Sequence, residues 1–393
     1  MDVHDTQDNL QKKLPLLHPA NHVYPCLYLF SNRRIYLPQY AILKGLKLCL
    51  KSSFLVLLCG CVSAAVPVPA PTPIKVSTTL VTRAEQRCPV HAEPRRAAGT
   101  IPVREPTNIL QMATLQTALD RNGFGVGLID GREGSKTVLA LKDYASSRNL
   151  TVSQARKELL ADTEPAIANH ILTAEELALV GSAPADYLDA ATLPAMACES
   201  LEEVLAEEFH VSPTFLKRLN PAITNWEALA AGIPFKIPNS RASGWSIPAA
   251  RLEVDCDHYR VRAFDTNDGI IASFPCSIAK QLHKVPVGDL TIVSFAPNPN
   301  YTFDPANFPE SPRAQEIGKK LIIPPGLNNP VGVYWLTLSA AGFGMHGTPH
   351  PETIGRRESH GCFRLTNWDI TTLASMVEEG TPVTVKLSEA VTP

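Results

Sequence analysis

Apolar and polar positions follow two rhythms along this chain. Between residues 107 and 148, Met112, Leu115 and Leu119, then Val138, Leu141 and Ala145, recur at helical spacing. Glycine-rich turns at 122–127 and 130–134 separate them, so two amphipathic helices around glycine turns are expected. The helical reading continues over 151–190, where Thr173 and Glu176 form a capping-box pattern. Ser200-Leu201-Glu202-Glu203 opens another helix, with Leu201, Val204 and Leu205 on one face, and Ser212-Pro213 caps a second carrying Phe215, Leu216 and Leu219. Asn220-Pro221, a loop, Ala231-Gly232 and a short strand from Pro234 to Pro238 close this unit; its first strand is expected around 192–198. From Trp245 the period shortens to two. Tyr259, Val261 and Ala263 alternate with Arg260, Arg262 and Phe264, and strands are expected at 270–274, 290–295, 333–338 and 383–387. One helix interrupts them, with Ile370, Leu373, Ala374 and Val377 at i, i+3, i+4 and i+7, Thr366 or Asn367 as cap and Gly380 as stop.

The N-terminal part carries a different signal. Residues 44–65, KGLKLCLKSSFLVLLCGCVSAA, place lysines before a short apolar stretch and then small residues, the order of a secretory signal peptide. Two processing readings compete: Leu58-Cys59-Gly60-Cys61 resembles a lipobox that would lipidate Cys61, and Val62-Ser63-Ala64 resembles an ordinary cleavage site. Residues 1–43 show no period, and translation is expected to start near Leu43 or Leu46 rather than at Met1. VPVPAPTPI and the Pro-, Arg- and Thr-rich stretch after it read as an extended, solvated tether. Seven of the 34 prolines fall in the 66–105 stretch, between an anchor and the folded part.

A length of 393 residues allows two or three domains plus tails. Lysine and arginine (36) nearly balance aspartate and glutamate (38), so no basic field is present to hold a phosphate backbone, and nucleic-acid binding is excluded. Of nine cysteines, the leader holds Cys26, Cys49, Cys59 and Cys61. Export permits disulfides; with Cys362 set aside, Cys88, Cys198, Cys256 and Cys276 allow three connectivities that sequence does not rank.

Just before the late helix lie Gly344-Met345-His346-Gly347-Thr348, a polar loop, and Ser359-His360-Gly361-Cys362-Phe363-Arg364-Leu365-Thr366-Asn367. A cysteine in such a turn has the exposure, the neighbouring glycine and the nearby N–H groups that a nucleophile needs. An imidazole within reach would deprotonate it, and His346 and His360 are both candidates on sequence alone. His346, His350, His360 and Cys362 also permit a zinc reading, but their spacing matches no familiar zinc set.

Three resemblances organise these observations. G-x-H-G-T, a loop and S-H-G-C-x-R-L-x-N resemble the signature of the L,D-transpeptidase (YkuD-type) catalytic domain, and Lys284 to Gly288, Asn298 to Tyr301 and Pro324 to Gly326 extend the likeness. LQTALDRNGFGVGLIDGREGSKTVLAL resembles the peptidoglycan-binding-like helical domain, and residues 200–239 resemble a LysM module, a βααβ unit that binds glycans; His210 and Trp226 are its candidate sugar-stacking pair, His210 being the better packing residue. The expected architecture is multidomain: leader 1–65, tether 66–105, helical module 106–190, LysM-like module 192–240, and a mostly β, β-sandwich-like catalytic domain 245–389 with one late helix.

The catalytic resemblance implies Cys362 as nucleophile and His346 as its base, with the Gly361 and Cys362 N–H groups as oxyanion hole. It gives supporting roles to Ser359, His360, Gly347, Arg364 (orienting substrate or structure) and Asn367 (fixing a loop), and Phe363 stands where the family has a smaller aliphatic residue. The implied reaction is acyl transfer without metal or cofactor: a thioester forms at the third residue of a peptidoglycan tetrapeptide, D-alanine leaves, and an amine of another stem peptide or of an envelope protein resolves it. Water as acceptor would give a carboxypeptidase or amidase on the same thioester chemistry; a non-enzymatic wall-binding protein is the other alternative. The implied partners are stem peptides and glycan, with an envelope lipoprotein as a further acceptor, and the implied place is the bacterial cell envelope, with the membrane met only through a signal or a lipid anchor at Cys61.

Overall fold

The structure is a computed structural model that describes residues 108–240 and 247–388. The leader, the tether, the region before them and Cys88 lie outside the described residues, as do the two processing readings. Among the described residues no helix is long and apolar enough to cross a membrane.

Three helices come first: α1 (Ile109–Arg121), α2 (Ser135–Ser147) and α3 (Val152–Leu160). The glycine turns between α1 and α2 are organised from inside by buried Gln116. Its Nε2 donates to Asp130 Oδ1 (2.9 Å) and the Arg132 carbonyl (3.0 Å), while its Oε1 accepts from Gly131 N (2.8 Å). Gly131 has φ +70°, and a Cβ there would overlap Ile109, so only glycine suits the turn.

Next come β1 (Ile167–Ile171), α4 (Ala174–Ala178), α5 (Tyr187–Ala190), α6 (Leu201–Phe209), α7 (Pro213–Leu219) and β2 (Pro234–Pro238). The continuous helix expected over 151–190 is thus broken by a strand. β1 pairs antiparallel with β2 over its full length, so the first strand of the second unit is 167–171, and 192–198 supplies only the isolated bridge Cys198–Val180. The expected boundary near 190 falls inside this unit. The β1–β2 pair embraces α6 and α7, and residues 172–200 form an insert between β1 and α6. Trp226 and His210 are both buried, so neither is placed to stack on a sugar: His210 is the packing residue the sequence favours and serves an interface described below, and Trp226 packs against Phe235.

The remaining domain contains β3 (Arg251–Asp255), β4 (Arg260–Phe264), β5 (Ile270–Pro275), β6 (Ile278–Ala279), β7 (Gly288–Pro297), β8 (Tyr301–Phe303), α8 (Pro312–Ile317), β9 (Leu321–Ile323), β10 (Tyr334–Leu338), β11 (Gly344–His346), β12 (Arg357–Ser359), β13 (Phe363–Arg364), α9 (Asn367–Met376) and β14 (Pro382–Lys386). Eight strands form one curled sheet in the order β13-β11-β10-β7-β14-β3-β4-β5. A β-sandwich was expected, but ten-residue β7 joins what would be two sheets: its first half pairs with β14 and its second with β10. β8 and β9 form a separate hairpin. Thr366 caps α9, accepting from Asp369 N at 3.1 Å, and α9 buries Ile370 and Leu373 against the sheet, ending before Val377.

The helical units are joined to this sheet by specific bonds. The edge strand β5 is extended by the first module, with Gly125 N donating to Ser273 O (2.7 Å) and Ser273 N to Gly123 O (3.1 Å). That covers an edge that would otherwise be open to strand addition. Fully buried Arg260 donates to Gly125 O (2.9 Å) and to Ser273 Oγ and faces Asp143, which Arg262 also binds at 2.9 Å. His210 links three parts: its Nδ1 meets the Asp120 carboxylate at 3.0 Å, its ring stacks on Trp368 of α9 (4.8 Å, 11°), and its carbonyl accepts from Ile129 N.

Candidate active site

β11 and β13 run parallel, with His346 opposite Arg364, and this register brings His346 and the Cys362 turn together at one edge of the sheet. Leu365 N donates to His346 O (2.9 Å) and extends the ladder. The turn is stapled by Ser359, whose Oγ donates to Cys362 O (2.6 Å) and accepts from Gly361 N (3.2 Å). Ser359 is therefore a turn-fixing residue. Because Gly361 N–H is already engaged by Ser359, only the Cys362 N–H of the expected oxyanion pair lacks an acceptor among the described residues. At Gly361 a Cβ would press on the Phe343 ring at 2.8 Å, which explains the glycine by packing.

His346 is nearly fully buried, and its Nδ1 donates to the Gly347 carbonyl at 2.7 Å. A carbonyl only accepts, so Nδ1 carries the hydrogen and Nε2 offers the lone pair. The ring stacks on the Trp335 indole (5.3 Å, 14°). Burial, together with the Arg364 charge, lowers the imidazole to about 4, although the bond to Gly347 opposes this. Burial also raises the Cys362 thiol, against the opposing effects of the Gly344 backbone and Arg364. Both groups are therefore neutral at rest near pH 7. The Sγ of Cys362 lies 3.8 Å from Gly342 O, and no thiol–imidazole hydrogen bond is formed in this state.

Asn367 bonds two loop segments. Its Nδ2 donates to Leu327 O (3.1 Å) and its Oδ1 accepts from Val333 N (3.2 Å). A Cβ on Gly347 or Gly332 would overlap that Oδ1, so both glycines are required by the same close approach. Arg364 has a buried Nε without a hydrogen bond, and its guanidinium meets no carboxylate among the described residues. His360 is exposed at the rim, its Nε2 3.4 Å from Glu310 and its ring against Phe308 (5.1 Å, 79°), so it does not share the buried position of His346. Phe363 is fully buried in the sheet core and packs there as a core residue.

His350 sits in an exposed turn beside Glu352. Among the described residues no three histidines, cysteines or carboxylates are grouped to hold a metal ion. Cys198, Cys256 and Cys276 are free and buried, and burial pushes the Cys256 thiol up to about 12. Sequence reading missed Trp335 as a site residue. The signal was Gly344, where a Cβ would strike the Trp335 ring.

Residues 249–385 match the family model of the L,D-transpeptidase catalytic domain, YkuD. The chain is 30% identical over 187 residues to the L,D-transpeptidase YkuD of Bacillus licheniformis, an alignment that takes in 48% of this chain and 93% of that protein. It is 28% identical over 181 residues to YkuD of Bacillus subtilis, covering 46% of this chain and 90% of that one. Among solved structures, an L,D-transpeptidase from Mycobacterium smegmatis is similar at 19% identity and a TM-score of 0.28, over 40% of this chain and 64% of that chain. The curled β-sheet with the Ser-His-Gly-Cys turn at its edge lies within the stretch that matches the L,D-transpeptidase catalytic domain. The chain belongs to the L,D-transpeptidase family.

Proposed function

We propose that this protein is a peptidoglycan L,D-transpeptidase that works by cysteine acyl transfer. The observation that carries the reading is the pairing of a Ser359-stapled Cys362 turn with a buried His346 whose free lone pair is on Nε2. Cys362 attacks the carbonyl of the third stem residue as its proton passes to His346. The C–S bond forms, the C–N bond to the terminal D-alanine breaks, and the imidazolium returns the proton to the departing amine. An acceptor amine then attacks the thioester, a new amide forms and the thiol is restored. The Cys362 N–H is the donor aimed at the developing oxyanion.

The acceptor is the side-chain amine of another stem peptide, giving a 3-3 cross-link, or a lysine of an envelope protein; water in its place would make the enzyme a carboxypeptidase. The units before the catalytic domain are a peptidoglycan-binding-like module and a LysM-like module, and the β1–β2 pair around α6 and α7 supports the second assignment. The leader exports the chain to the cell envelope, with lipidation at Cys61 as its anchor. Intact-protein mass spectrometry with a carbapenem tests the chemistry. A single adduct on the wild type and none on Cys362→Ala is expected, whereas an unmodified wild type would overturn the reading.

A further inference from the structure

The insert between β1 and α6 does not stay with its own module. Asp186 caps α5 by accepting from Leu188 N (2.8 Å) and at the same time binds Arg313 of α8 (2.7 Å). Further along, Met196 N donates to Pro325 O (2.8 Å), and its carbonyl accepts from Asn328 N (3.2 Å). A Cβ at Gly326 would overlap the Met196 backbone, so the glycine of the Pro324-Pro325-Gly326 motif is what lets the insert lie down. Ala190, Met196 and Ile323 are buried together as a small core shared by the insert and the β8–β9 hairpin.

This clamp sets Tyr187 against the β8–β9 pair. Its ring packs on Phe303 (4.5 Å) and lies 6.0 Å from Tyr301. Phe303 stacks on Phe308, which meets His360 two residues before the nucleophile, so one aromatic row runs from the insert to the Cys362 turn. Neither the Tyr187 nor the Tyr301 hydroxyl has a hydrogen-bond partner among the described residues, and both side chains are half-buried. The charge of Arg364 acts on both phenols, and a thiolate at Cys362, once formed, would act on Tyr301. One cation without a carboxylate partner, two residues beyond Cys362, and two phenols without acceptors, on the aromatic row that ends at the Cys362 turn, are therefore available on the approach to the thiol.

Such a set suits one ligand chemistry. A carboxylate accepts several donors at once, and charge-assisted bonds are the strong ones. We propose that Tyr187, supplied by the insert of the preceding module, forms with Tyr301 and Arg364 a subsite for a carboxylate of the donor peptide. The proposal rests on the transpeptidase reading for the identity of that peptide, and it makes the second module a part of the active site.

Equilibrium binding separates it from turnover. Full-length Cys362→Ala protein is titrated with a stem tetrapeptide bearing a free C-terminal carboxylate and with the same peptide as its C-terminal amide, with and without Tyr187→Phe, which keeps the ring packing. The expected result is about a tenfold weaker Kd for the free acid in the Tyr187→Phe background and an unchanged Kd for the amide. An unchanged Kd for the acid, an equal loss for both peptides, or no binding of either would overturn the subsite. Failure of the transpeptidase reading shows elsewhere, as a wild-type protein that the carbapenem leaves unmodified.

Discussion

The imidazole of His346 lies flat against the indole of Trp335, with ring centroids 5.3 Å apart and planes 14° from parallel. Together with the Nδ1 bond to Gly347, this fixes both the ring plane and the tautomer of the proposed base. The same burial disfavours charge on the ring. With the imidazole lowered to about 4 and the thiol raised, a preformed thiolate–imidazolium pair is not the resting state, and proton transfer accompanies attack. A lowered histidine pKa means the base form persists down to about pH 4. Acylation of Cys362 is therefore expected to lose its acid limb only near pH 4 rather than near 6.5, and to keep rising above pH 7 as the thiol ionises. Stopped-flow acylation across this range checks it; a flat profile from pH 6 upward would require a preformed thiolate.

His346→Ala removes the base while leaving the strand ladder that holds Cys362. Acylation at neutral pH is expected to fall by about 10²-fold or more, with partial recovery at high pH as the thiol ionises unaided. The circular dichroism spectrum should not change. Full acylation at neutral pH would show that another group takes the proton, and His360→Ala would be the variant to try next.

The sheet and the turn that carries Cys362 were legible because each reports itself locally. Alternation from Tyr259 to Phe264 needs only a pleat, and Ser359 to Cys362 needs only a turn. The first strand of the second module was misplaced because its partner, Pro234–Pro238, lies far away in sequence and the insert interrupts the unit. The segment 167–171, Ile-Ala-Asn-His-Ile, is short, and three of its five positions are only half-buried, so no clean alternation marks it. The stacking of His210 on Trp368 and the reach of Tyr187 to Phe303 were hidden for the same reason: both are contacts between modules, which no local period encodes.

Asn367 ties two loop segments to the start of α9, bonding Leu327 O and Val333 N from a fully buried position. Truncation to alanine would strand one buried acceptor and one buried donor, at about 1–3 kcal/mol each. Asn367→Ala is expected to lower unfolding stability in urea by several kcal/mol and to reduce acylation, because Gly347 beside His346 packs on the same amide oxygen. A loss below about 0.5 kcal/mol would mean that water replaces both bonds.

Glu207 of α6 faces that same residue. Burial pushes its carboxyl up to about 8; the Asn367 amide opposes the shift, and Glu203, Glu352 and Asp369 add to it. An unfolded glutamate ionises near 4.5, so between that pH and about 8 the unfolded chain releases a proton that the folded chain retains. Folding is thus penalised progressively as pH rises through this window, and the penalty is absent below it. Glu207→Gln removes the titration while keeping the shape. The variant and wild type should have the same melting temperature relation at every pH below about 4.5, and the variant should gain steadily up to about pH 8 and no further. Scanning calorimetry from pH 4 to 9 reads this directly. A difference that stays constant, or shrinks as pH rises, would place the Glu207 carboxylate in a solvated or cation-paired setting and remove it from the interface between α6 and α9.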